Sequence, residues 1–186
     1  MSPVLRTLIF TIFVPGFWTV AMPYWLVPRG TRPDLHGVGA VGGALIAAGI
    51  ALYFACAFWG FALRGKGTPL PMDPPKKLVV EGPYRVVRNP MYWSVAFVML
   101  GEAAVFRSFA LVELVAAFAL GVNVFVLLYE EPALRRKFGE EYEAYCKRVP
   151  RWLPRLRSQV TRSTPGQALT DVDGGDAVGR KGDGQR

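Results

Sequence analysis

The stretch Glu81-Gly-Pro-Tyr-Arg-Val-Val-Arg-Asn-Pro-Met-Tyr92 is the densest cluster of Arg, Tyr, Gly and Pro in this chain. Arg85 and Arg88 offer guanidinium donors to an anion, and Tyr84 and Tyr92 offer aromatic faces to a flat or cationic group. Gly82-Pro83 and Asn89-Pro90 break regular structure, because proline lacks an amide donor and restricts the residue before it. Pro90 suits the first position of a helix and Asn89 its N-cap. The free amides that follow then face the same place with the positive end of the helix dipole. An apolar run follows, long enough to enter a membrane. The natural counterpart is Glu130-Glu131, a carboxylate pair at the end of the next apolar run. These residues predict a fixed polar cradle at the mouth of a membrane helix.

The elements that must hold this cradle are strongly apolar. Of 186 residues 52% are hydrophobic, and the mean hydropathy is positive, beyond what one soluble domain of this length shows. Four apolar runs stand out, about Leu8–Val27, Val38–Leu63, Tyr92–Phe106 and Phe109–Tyr129. Three reach the roughly 20 residues a bilayer requires, and the third run is shorter. Pro23, Tyr24 and Trp25 continue the first run with no small-x-small site after it, so it reads as a retained span rather than a signal peptide. Pro15, Gly16 and Pro23 predict a kink there. The fold class expected is all-α: an integral membrane protein with four transmembrane helices and a cytosolic amphipathic C-terminal helix.

Charge placement orients those spans. Of the 22 Lys and Arg, only Arg29, Arg32 and Arg107 fall on the side opposite the cradle, which puts both termini and the middle loop in the cytoplasm. The net charge of +8 then reflects topology and attraction to anionic headgroups, and nucleic acid is excluded as a partner. Ala-, Gly- and Arg-rich usage points to a bacterial inner membrane. Cys56 lies in a span and Cys146 in a cytosolic segment, so no bridge is expected, and a lone His36 leaves no metal site.

Within the spans the polar exceptions are Glu102, Glu113 and Asn123. Glu102 lies about 18 Å along its helix from Pro90, near the outer boundary, within reach of Arg107. Arg107-Ser108 allows a tight turn, so the last two spans form an antiparallel hairpin that returns Glu130 to the level of Tyr92. Gly37-Val-Gly39-Ala-Val-Gly42 fits a dinucleotide-binding pattern but opens an apolar helix with no strand before it. Gly39, Gly43 and Ala47 read better as a small-residue packing face. After Pro132, which can begin a new helix, Leu134, Phe138, Tyr142, Tyr145 and Val149 recur at helical spacing among charges. That pattern predicts one amphipathic helix on the membrane. The domain expected is 1–157, with its motif region at 76–154, followed by a disordered cytosolic tail over 158–186.

Gly-Pro-Tyr-Arg-x-x-Arg-Asn-Pro-Met-Tyr, the hairpin, Glu130-Glu131, Phe138-Gly-Glu-Glu-Tyr-x-x-Tyr145 and Arg148-Val-Pro-Arg151 together resemble the isoprenylcysteine carboxyl methyltransferase family, which is linked to the phospholipid N-methyltransferases. The resemblance implies a membrane methyltransferase that uses S-adenosylmethionine on a lipophilic small molecule or lipid. It implies cofactor contacts from Leu78, Val79, Gly82, Tyr84, Asn89, Pro90, Tyr92 and Glu130, with Arg88 and Glu131 catalytic. Chemistry agrees: Glu130 suits the ammonium or ribose, Arg88 the carboxylate, and the tyrosines the adenine or sulfonium. Arg85 reads as an anchor to lipid phosphate. Two positions depart from the family: Asn89 stands where His is common, and Val126 where the prenylcysteine enzymes carry arginine. An acceptor with a neutral or weakly charged head is therefore expected, walled by Val95, Phe97, Phe125 and Val126. The competing functions are an NADPH-dependent reductase of the sterol-reductase type and a non-catalytic membrane scaffold.

Overall fold

Proline and glycine mark most of the breaks in this chain. The computed structural model describes residues 3–57 and 77–154, and among them every regular element is helical. Helix α1 runs Pro3–Phe13. Past Pro15 and Gly16 a π-turn over Phe17–Ala21 leads into α2, Met22–Leu26, so the expected irregularity is present. Helix α3 is Val38–Phe54, α4 is Pro90–Val105 and α5 is Phe109–Phe125. Among the described residues, three helical stretches are long and apolar enough to cross a membrane: Thr7–Leu26, Val38–Ala57 and Phe109–Phe138. The third expected span, α4, has 16 residues and falls short of that length. The proline-rich loop before Lys77 and the tail expected over 158–186 lie outside the described residues.

The hairpin of α4 and α5 forms as the sequence predicts. Arg107 takes a left-handed φ of 46°, and the Ser108 amide returns to the Ala103 carbonyl at 3.1 Å. The turn carries Arg107 away from Glu102, correcting the expected pairing. Arg107 meets Asp34 instead, and the Asp34 amide donates to the Val105 carbonyl at 2.8 Å. Asp34 Oδ1 accepts the His36 amide, which with Arg107 holds the carboxyl below its usual range. Glu102 keeps a buried Oε2 without a partner among the described residues, and Glu113 is exposed.

Helices α3 and α4 pack backbone to backbone. A Cβ on Gly42 would sit 2.6 Å from the Gly101 carbonyl oxygen, one on Gly101 2.5 Å from that of Gly42, and one on Gly49 2.6 Å from that of Ser94. Such approach is open to glycine alone. The packing face is thus Gly42 and Gly49, two turns apart, rather than Gly39, Gly43 and Ala47. Gly43 faces open space, and Gly39 abuts the backbone of Asp34. No strand precedes α3 among the described residues, as the helical reading of its glycines requires.

The last span does not stop at Tyr129. A π-turn over Val126–Glu130, in which the Glu131 amide reaches back to the Val126 carbonyl, carries the helix on into α6, Glu131–Phe138. Pro132 therefore sits just past the widened turn of a continuing helix, where its missing donor is tolerated, and does not begin a separate one. The expected single amphipathic helix is two. Gly139, at φ 50°, ends α6 and turns the chain into α7, Glu140–Arg148. Tyr142, Tyr145 and Val149 pack there against Leu78, Val80, Leu134 and Phe138. A second cluster, in the bundle, joins Tyr53, Ala57, Val95, Met99 and Phe118. Trp18 seats edge-on against Phe118 at 5.3 Å, and the Thr11 and Tyr53 hydroxyls bond at 2.7 Å, tying the first span to the rest.

Candidate active site

A cavity of about 450 Å³ opens where the start of α4 meets the π-turn at the end of α5. Phe10, Val14 and Trp18 from the first span and Phe118, Val122 and Phe125 from α5 wall its apolar end. Its polar end is lined by Tyr84, Arg88, Asn89, Tyr92, Glu130 and Glu131, with Leu78 and Val79 beside them. The structure thus gathers eight of the ten sequence-nominated residues around one space. Gly82 and Pro90 do not line it. Gly82 takes a φ of 60° that turns the chain into the short 3-10 segment Gly82–Arg85, and Pro90 is buried as the first residue of α4.

The two glutamates have different surroundings. Tyr92 donates its hydroxyl to Glu130 Oε2 at 2.8 Å, and both residues line the cavity. Glu131, 2% exposed, is enclosed by guanidinium groups. Arg151 binds it in bidentate fashion at 2.6 and 3.0 Å, Arg88 Nη1 lies 3.0 Å away, and Arg135 lies 3.5 Å away. Successive side chains on a helix diverge by about 100°, so one carboxylate faces α4 and the other faces the chain after α7.

Arg88 is held from several directions. Its Nη1 donates to Cys146 Sγ at 2.8 Å and its backbone amide to the Pro150 carbonyl at 2.8 Å, while its Nε is buried with no partner among the described residues. The Tyr145 hydroxyl donates to the Tyr84 carbonyl at 2.7 Å and fixes the 3-10 segment over the site. Burial pushes the Tyr84, Tyr142 and Tyr145 hydroxyls up, so all three stay protonated at neutral pH. The hydrogen bond to Glu131 pushes Arg151 further up.

Two expectations change here. Asn89 occupies the cap position of α4, but its side chain makes no capping bond. Its Nδ2 donates instead to the Arg151 carbonyl at 3.4 Å, because the chain after α7 runs directly beneath it. Phe97 does not wall the cavity and packs on Trp93 at 5.6 Å, while Val95 borders a smaller adjoining space. Arg85 is exposed, compatible with its reading as an anchor.

Sequence reasoning missed Arg151, Trp152 and the first-span residues. Phe10, Val14 and Trp18 recur at four-residue spacing, a signal that was available. Asn123, a bare amide in an apolar span, called for a partner, and the Trp152 indole supplies it at 3.0 Å.

No curated protein and no solved structure matches the chain. The family described as phospholipid methyltransferase matches residues 38–141, from the start of α3 into α7. The cradle, both glutamates and the hairpin that brings them together all fall inside that match, so the chain belongs to the phospholipid methyltransferase family.

Proposed function

We propose that this membrane methyltransferase takes its methyl group from S-adenosylmethionine and passes it to a lipophilic acceptor with a neutral or weakly charged head, at the cytosolic membrane face. The observation that carries the reading is the Tyr92–Glu130 pair: a carboxylate aimed by a phenol at the polar end of a largely apolar cavity. The cavity volume falls within the range of about 300–1,000 Å³ usual for small-molecule sites. S-adenosylmethionine supplies a methyl group on a cationic sulfur, whose carbon–sulfur bond breaks as the acceptor's lone pair attacks and whose bonding electrons stay on the departing thioether.

The residues present fit that donor. Glu130 lines the cavity where it can accept from the donor's ammonium or ribose, and Tyr92 orients the carboxylate. Arg88 Nε, a buried donor without a partner among the described residues, would be satisfied by the donor's carboxylate. Leu78 and Val79 give an apolar wall. The faces of Tyr84 and Tyr92 attract a cation by about 0.5–2 kcal/mol. Glu131, expected among the reacting groups, is better assigned to orienting Arg88, since its oxygens are already taken by arginines. What remains for the protein is alignment of donor and acceptor and exclusion of water.

The end of the bundle that holds the cradle also carries α6 and α7 with their basic residues, whereas Asp34 and Arg107 meet at the other end. The basic bias therefore supports a cytosolic site, four spans and cytosolic termini. For the acceptor, Val126 lines the cavity and is fully buried. It offers no charge to a free carboxylate, which would be costly to leave unpaired in so apolar a place. The exposed flanks of Phe125 and Tyr129 open towards lipid.

Transfer of labelled methyl from S-adenosylmethionine to a total lipid extract, run beside a farnesylcysteine analogue, tests the acceptor. Label is expected in lipid. Efficient labelling of the farnesylcysteine carboxylate with lipid inert would overturn this reading.

A further inference from the structure

Trp152 lies outside the stretch matched to the family, beyond the end of α7, yet its indole N–H, its carbonyl and its ring are all engaged. Its indole N–H donates to Asn123 Oδ1 on α5 at 3.0 Å, and its carbonyl accepts the Trp93 indole on α4 at 3.0 Å. Its ring lies 6.3 Å from that of Tyr92 at an interplanar angle of 59°. The residues just before it continue the same strap. The Arg151 carbonyl accepts from Asn89, the Pro150 carbonyl accepts the Arg88 amide, and the Arg151 guanidinium clasps Glu131. A short non-helical segment thus accepts hydrogen bonds at three points from residues at and just before the start of α4, and reaches α5 at one.

That last contact is unusual for a chain of this composition. Asn123 sits in an apolar span, where an amide oxygen without a donor is costly, so its bond to the indole is strongly favoured and directional. The bond fixes the rotation of the Trp152 ring, and the ring in turn backs Tyr92. Tyr92 donates to Glu130 at the polar end of the cavity. We propose that Trp152, locked by Asn123, is a positioning residue that holds Tyr92 in register with Glu130 for ligand binding. The ligand half of this statement rests on the reading of the donor site given above. An interfacial tryptophan serving as a membrane anchor would need no partner at Asn123 and would tolerate phenylalanine.

The test places 3-fluorotyrosine at position 92 and records its fluorine resonance in the detergent-purified full chain, with Trp152→Phe, Asn123→Ala and the double variant. Trp152→Phe keeps a ring beside Tyr92 and removes the indole N–H. Each single change is expected to shift or broaden the resonance and to weaken S-adenosylmethionine binding about five-fold, the equivalent of one ordinary hydrogen bond. The double variant should be no worse than either single one. A resonance unchanged from the parent, or losses that add in the double variant, overturns the proposal. Should Trp152→Phe fail to fold, Asn123→Ala decides alone. If the parent itself does not bind S-adenosylmethionine, the donor assignment fails, while the resonance still decides whether Trp152 positions Tyr92.

Discussion

Replacing Glu130 with glutamine is expected to lower kcat/KM for methyl transfer by up to about 30-fold while leaving the fold intact. The substitution keeps size and an oxygen that can still accept from Tyr92, but it removes the negative charge from the polar end of the cavity. A hydrogen bond to a charged group contributes about 1.5–3 kcal/mol, against about 1 kcal/mol for a neutral one. Tyr92→Phe, which loses the phenol and keeps the ring, should cost less, on the order of 1 kcal/mol. Arg85→Ala should do little, since Arg85 is exposed and away from the cavity lining. Steady-state assays on the three variants check the ranking. Equal activity in all of them would reduce the cradle to a membrane anchor.

The largest loss of stability is expected from Glu131→Leu. Arg88 and Arg151 would face an apolar side chain, with the Arg88 side chain only 11% exposed. Breaking a buried ion pair from one side typically costs about 3–5 kcal/mol, because the charge left behind is uncompensated. Arg135→Ala removes the longest and most exposed of the three contacts and should cost well under about 1 kcal/mol. Thermal or denaturant unfolding in detergent separates the two. A Glu131→Leu variant as stable as Arg135→Ala would contradict the picture of Glu131 as the centre that ties α4, α6 and the strap together.

Much of the scaffold was legible because it depends on local chemistry. Pro90 after Asn89 starts α4, Arg107-Ser108 closes the hairpin, and the return of α5 to the level of Tyr92 follows from helix length alone. The misreadings share a cause. Glu130 and Glu131 are identical in type and adjacent in sequence, so only their directions from a helix, and the arginines waiting on one side, separate their roles. The π-turn at Val126–Glu130 shifts hydrogen bonds by one residue and leaves no mark in composition. In the segment after Pro132, apolar spacing of three and four outweighed Gly139, although that glycine in a left-handed conformation breaks the helix. On α3 a four-residue spacing drew the eye to Gly43, whereas the helix crossing uses Gly42 and Gly49. Arg151 and Trp152 act across 20 and 29 residues of sequence, on Glu131 and Asn123, and no periodicity reports such a contact.

The most direct measurement of the central claim is a titration of the detergent-purified protein with S-adenosylmethionine and, separately, with NADPH. Saturable binding of S-adenosylmethionine, weakened in Glu130→Gln, with no binding of NADPH, is the result this structure predicts. Saturation by NADPH with S-adenosylmethionine inert, or S-adenosylmethionine binding indifferent to the charge at Glu130, would contradict it.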